Sequence, residues 1–273
     1  MTMFPSVCMW AYRTPLTDAL REVEQTAFHY IDIYPDMLDA PEALQAKKDL
    51  GLNVSCAMLD GNLPRGMSLD GNGQAATGEA MNCMKQALQK LQSLGASTAY
   101  LNPCASRKHL GSFGEALRVL AEDAAGKGIR LCVAHARGSA LPTAKDALDF
   151  VRRIDHPNLF LLLNVGHTLL SKEKPWEVAA AAGKSVGYVQ MNDNDGKHDR
   201  RWPLRDGLLT YADIERFLEA LQGAGYTGTL GLDLSFDRAS LVSGLSRSRN
   251  LLIRIQDGMG HKSLLEPETR RKN

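Results

Sequence analysis

Short runs of apolar residues alternate with longer amphipathic stretches along the whole chain. The strand-like runs fall at residues 6–10, 30–34, 53–59, 98–102, 130–135, 159–165, 187–192 and 229–234. Several are apolar throughout. A run without polar alternation suits a strand covered on both faces, as in a parallel sheet wrapped by helices. The intervening stretches carry helix signals. Ser112-x-x-Glu115 opens a run that ends at Gly126-Lys127-Gly128, Thr143-x-x-Asp146 opens another, and Thr210-x-x-Asp213 opens a third that stops at Gly223-Ala224-Gly225. In each pattern a hydroxyl is placed to accept from an orphan backbone N–H, and an acid sits in the first turn. Residues 79–94 have apolar positions at helical spacing and stop at Gly95.

Strand and helix alternating about eight times, with no long polar linker, predicts βαβ units closed into a single (β/α)8 barrel rather than an open sheet. The length of 273 residues agrees, since one such barrel takes about 250. The barrel is expected over residues 1–258, followed by a polar, charged tail at 259–273. Residues 61–77 are Gly-rich and aperiodic and follow the third strand. They are read as either a substrate lid or a plain solvated loop.

Composition narrows the function classes. The formal net charge is +1 and aromatic residues make up 6%. Neither a basic field nor a stacking platform for nucleic acid is present, and no membrane partner is expected. No apolar run approaches the ~20 residues that span a bilayer. The start, Met1-Thr2-Met3-Phe4-Pro5, lacks the basic and apolar regions of a secretory signal. Cys8, Cys56, Cys83, Cys104 and Cys132 are odd in number and have no C-x-x-C spacing. They read as reduced thiols, and the chain as cytoplasmic.

In a parallel barrel the polar residues at the C-terminal ends of strands face the site. Here they are Tyr34, Asp36, Asn102, His135, Asn164, His167, Gln190, Asn192, Asp193 and Asp233. Asp233 is the candidate base. His135 and His167 are candidate acid/base partners, because an ordinary imidazole titrates near pH 6.5. Tyr34, Asn102, Asn164, Gln190, Asn192 and Asp193 are candidate ligand-binding groups. Arg201, with Arg205 and Lys197, offers positive charge for an anionic group or an enolate. His167 has a plainer reading as a residue that positions its neighbours. Lys172-Glu173-Lys174 reads as a solvated helix start, and His198 as a solvated loop residue.

The order of motifs resembles the sugar-phosphate isomerase/epimerase superfamily of xylose isomerase-like TIM barrels. Leu163-Asn164-Val165-Gly166-His167 is similar to its D-x-G-H, and the run Gln190 to Gly196 to its H-x-H-D-N-D-G. Asp199-Arg200-Arg201 stands where that family has D-x-H. Pro203-Leu204-Arg205-Asp206-Gly207 resembles P-x-G-x-G, and the run Gly225 to Asp233 resembles G-Y-x-G-x-x-x-x-E. Leu131-Cys132-Val133-Ala134-His135 is similar to the run carrying the family's first Glu. The resemblance implies one divalent metal held by Glu, Asp, His and Glu, with the two Glu residues moving a proton through an enediolate. Those four positions fall on Ala134, Asn164, Gln190 and Asp233, so only the last is an anion.

A hard cation needs anionic oxygen ligands, so no cofactor is expected. A shifted set of His135, His167 and Asp233 is the alternative, which would take Mn, Fe, Zn or Mg. The expectation is an isomerase, epimerase or lyase that moves a proton on a sugar-like polyhydroxylated carbonyl compound without the metal. A barrel that binds such a ligand without turnover is the competing reading, and a homo-oligomer is left open. Abasic-site endonucleases share the fold, but they need a richer His/Asp/Glu cluster and a basic surface.

Overall fold

A computed structural model describes residues 3–64, 66–69, 74–235 and 238–265. Eight parallel strands close into one barrel in sequence order. They are β1 (Pro5–Cys8), β2 (Tyr30–Ile33), β3 (Asn53–Met58), β4 (Thr98–Leu101), β5 (Arg130–Val133), β6 (Leu159–Asn164), β7 (Val186–Met191) and β8 (Leu230–Leu232). The circle closes where β1 pairs with β8, Val7 opposite Leu232. Every expected strand is present, trimmed by a residue or more at one or both ends. The trimmed C-terminal residues turn out of the ladder and form the mouth.

The helices are α1 (Leu16–Gln25), α2 (Pro41–Asp49), α3 (Gln74–Ser93), α4 (Leu110–Ala125), α5 (Ala144–Ile154), α6 (Val165–Leu170), α7 (Pro175–Ala182), α8 (Tyr211–Gly223) and α9 (Arg238–Leu265). Two of the three capping signals work as read. Thr143 accepts from the Asp146 N–H, and Thr210 forms a reciprocal capping box with Asp213. The third does not. Helix α4 starts at Leu110, ahead of Ser112, whose hydroxyl instead donates to the His109 carbonyl. Glu173, expected to face water, instead accepts through its carboxylate from the N–H groups of Ala144 (2.8 Å) and Lys145 (3.0 Å). It thus complements the positive end of α5 from a neighbouring connection.

Helix α9 runs beyond residue 258 as far as Leu265, and residues 266–273 lie outside the described residues. The 61–77 segment is helical from Gln74 onward. Residues 65 and 70–73 are outside the described residues, so part of the lid expectation falls on them.

The main core lies between the outer faces of the strands and the helices, for example Ile31, Leu101, Leu131, Leu161 and Val189 against Leu20, Leu117, Leu148 and Leu218. A second cluster fills the inside of the barrel: Cys56, Tyr100, Cys132, Ala134, Leu162 and Tyr188. The interior also holds a buried carboxylate. Asp32 accepts from Ser55 Oγ, from Tyr188 Oη (2.7 Å to each oxygen) and from Cys8 Sγ (3.5 Å). The five cysteines are free thiols, and all but Cys83 are buried. Among the described residues no helix is long and apolar enough to cross a membrane.

Candidate active site at the barrel mouth

Asp233 follows β8 directly and is 4% exposed. Its Oδ1 accepts from Trp10 Nε1 at 2.8 Å and from the Arg201 guanidinium at 3.4 Å. Among the described residues no hydrogen bond to Oδ2 is seen. Trp10 comes from the turn after β1 and stacks on Tyr34, with ring centroids 5.3 Å apart and planes at 23°. Tyr100 meets the Trp10 ring edge-on from inside the barrel, at 6.5 Å. Three aromatic rings therefore fix the carboxylate from one side.

Arg201 fixes it from the other. Its Nε donates to Asp199 at 3.1 Å, and the charge of Asp233 raises the guanidinium above its ordinary range. The backbone of Arg201 is left-handed, with φ of 50°, as is that of Arg205 at 74°. Such a conformation costs a residue with a side chain roughly 1–2 kcal/mol. It is held by a pair of main-chain hydrogen bonds between Asp193 and Trp202, both 2.8 Å, and by the Ser235 N–H on the Arg201 carbonyl.

The residues at the expected metal-ligand positions form a chain of amides instead. Asn192 Nδ2 donates to Asn164 Oδ1 at 3.4 Å, Asn164 Nδ2 donates to Gln190 Oε1 at 3.2 Å, and Gln190 Nε2 donates to Tyr100 Oη at 3.1 Å. Asn164 also caps α6 by accepting from the His167 N–H. Gly166 leaves room for this amide, because a Cβ at this position would lie 1.7 Å from Asn192 Oδ1 and the side chain would have to move. Ala134 packs inside the barrel beside Cys132 and Leu162. A divalent cation does not fit this set: one position has no donor, and the Asn164 and Gln190 amide oxygens are neutral and already hydrogen-bonded. Among the described residues no three His, Cys, Asp or Glu side chains converge to hold an ion, the shifted set of His135, His167 and Asp233 included.

Several expected site residues have other work. The sequence makes Asp193 a candidate ligand-binding group, but its carboxylate faces the β7–α8 connection. It accepts from the N–H groups of Asn194, Arg205, Gly207 and Leu209 at 2.8–3.3 Å. Gly207 permits this approach, since a Cβ there would lie 2.6 Å from Asp193 Oδ1. Asp193 therefore shapes the loop that carries Arg201. Asn102 is tied to Asp60, through its N–H at 2.9 Å and its amide at 3.2 Å. His198 is exposed, in keeping with its reading as a solvated loop residue, and pairs with Asp195.

His135 also departs from expectation. It is fully buried, and its Nε2 accepts from the Asn164 N–H at 3.2 Å, which leaves the proton on Nδ1. Burial first, and His167 second, push its pKa down to about 3, so it is a neutral imidazole rather than a group poised near neutrality. His167, 6.0 Å away between ring centroids, is lowered too, chiefly by burial.

A depressed folded-state value means the His135 contribution to stability is present above about pH 6.5 and is lost as pH falls toward about 3. Asp32, pushed up to about 6 by burial, acts with the opposite sign, its contribution being lost as pH rises through that value. We expect 15N NMR to find His135 as the Nδ1–H tautomer with shifts unchanged from pH 8 to about 5. A midpoint above pH 6 would contradict this assignment.

Trp10, Tyr100 and Asp60 were not singled out from sequence. The available signal for Trp10 was its place at the end of the first strand-like run, and for Tyr100 its inward parity on the fourth.

Comparison with known proteins bears on the fold and the family. A stretch of 146 residues is 35% identical to a 3-dehydroshikimate dehydratase of Pseudomonas aeruginosa, covering 47% of this chain and 22% of that protein. Another of 122 residues is 25% identical to a D-psicose 3-epimerase of Ruminiclostridium cellulolyticum, covering 44% of this chain and 39% of that one. The matched stretches thus span well under half of either relative. The fold superposes on L-ribulose 3-epimerase with a TM-score of 0.78 at 18% identity, over 99% of this chain and 100% of that one. The model of the xylose isomerase-like TIM barrel family matches residues 20–252, and the chain belongs to that family.

Proposed function

We propose that the protein is an isomerase, epimerase or lyase that moves a proton on a sugar-like hydroxy-carbonyl compound and does so without a divalent metal. The observation that carries this reading is the Arg201–Asp233 pair. Where the family resemblance puts four metal ligands, Asp233 is the single anion, and a guanidinium lies 3.4 Å from it. In this reading Asp233 Oδ2 removes the proton next to the carbonyl. Arg201 stabilises the negative charge that develops on oxygen, as a preorganised cation beside the buried base. Trp10 and Tyr34 hold the base in line. The relatives, a dehydratase by name and epimerases by name, support this chemistry class.

The test is proton NMR in D2O with 3-dehydroshikimate and the ketohexoses D-psicose and D-fructose, using protein treated with EDTA. We expect deuterium to enter beside the carbonyl of at least one of them at the same rate with and without EDTA. Loss of exchange on chelation, restored by Mn2+, would overturn the metal-free mechanism. The neutral His135 and the closed amide chain favour one second reading, a barrel that holds such a ligand without turning it over. A ligand that raises the melting temperature yet never exchanges its proton would decide for it.

A further inference from the structure

Beside the mouth, on the side of Tyr34, lies a half-open cleft of about 350 Å3. Its floor is made by Met84 of α3, Leu101 of β4 and Phe113 of α4, each at most 3% exposed. Met67 closes the outer side. Asp60 and Asn102 stand at one end, joined by the two hydrogen bonds described above. Asp60 is the one charged side chain among the described residues of the lining, and burial pushes it up to about 6. Gly61, next to Asp60, lies against the Tyr34 ring, so that a Cβ there would meet Tyr34 Cε1, and Tyr34 stacks on Trp10 at the mouth.

The cleft falls in the range of about 300–1,000 Å3 typical of small-molecule sites, which are mostly apolar with a few polar groups. A dry cavity of about 150 Å3 already takes benzene. Two thioethers and a phenyl ring favour an aromatic guest over an aliphatic one. A carboxylate at the rim accepts from a hydroxyl.

We infer that this cleft is a binding site for an aromatic ring bearing a hydroxyl.

Binding can be followed on the full chain labelled with methyl-13C methionine and titrated with 4-methylphenol. The Met67 and Met84 signals are expected to shift saturably, while Met9, buried at the end of β1, stays in place. Met67→Trp, which fills the cleft from its outer wall, should abolish the Met84 shift. The methyl ether 4-methylanisole, and Asp60→Asn with the phenol, should each bind about tenfold more weakly, the equivalent of about 1.4 kcal/mol.

Unmoved Met67 and Met84 signals up to the solubility limit of the probe would overturn the site. So would equal shifts at every methionine. Equal affinity for phenol and ether would overturn the role of Asp60. The readout needs no turnover, so an inactive mouth leaves it intact, and an empty cleft leaves the mouth reading standing.

Discussion

Asp233→Asn is expected to lower proton exchange on any accepted substrate by roughly a thousandfold, within the 10²–10⁴ range for removal of a positioned acid/base group. The amide keeps the shape of the side chain and an oxygen for the Trp10 N–H at 2.8 Å. It has no basic lone pair to replace that of Oδ2. Arg201 keeps Asp199 as a partner, so the loop should stay in place. The melting temperature should accordingly move by only a few degrees. Exchange measured by NMR in D2O, with circular dichroism as the folding control, separates loss of the base from loss of the fold. Retention of more than a tenth of the wild-type rate would remove Asp233 from the mechanism and point to a base elsewhere in the mouth.

Arg201→Ala is expected to cost about 10²–10³ in kcat, the effect of deleting one preorganised donor at a developing oxyanion. KM should change much less, because the interaction strengthens mainly as charge develops on the substrate. Arg201→Lys is the informative companion. It preserves the charge but loses the planar fork that reaches Asp199 and Asp233 together. A partial recovery in the lysine variant would identify charge as the larger part of the effect. An alanine variant with unchanged kcat would sink the idea that the guanidinium does the electrostatic work of a cation. Rescue of Arg201→Ala by Mn2+ is not expected, because the freed space still presents Ala134 and the neutral amides of Asn164 and Gln190.

The barrel itself was legible in the sequence because its signals are local. Apolar runs, hydroxyl caps such as Thr143 and Thr210, and terminal glycines each act within a few residues, and eight repeats leave little choice of closed architecture. Asp233 was legible for the same reason: a carboxylate at the end of an apolar strand needs an explanation. The neutral character of the Asn164 and Gln190 positions could also be read, since an amide cannot become an anion whatever surrounds it.

What the sequence left open depends on direction and burial, which only the assembled barrel sets. His135 carries the same imidazole as any histidine. Closure of β5 against β6 buries it and gives its Nε2 the Asn164 N–H, and that environment moves it from a candidate acid to a neutral group. Asp193 sits one residue from Asn192, yet the turn after β7 aims its carboxylate at the Arg205 and Gly207 N–H groups and away from the mouth. Trp10 lies more than two hundred residues from Asp233, and only the β1–β8 seam puts its indole N–H on that carboxylate. The sequence by itself determined the fold and the neutral amides at Asn164 and Gln190, because both follow from residue type and spacing. The tertiary structure decided which polar groups face a ligand and which are spent on the protein's own backbone, because hydrogen bonding and desolvation are set by neighbours distant in the chain.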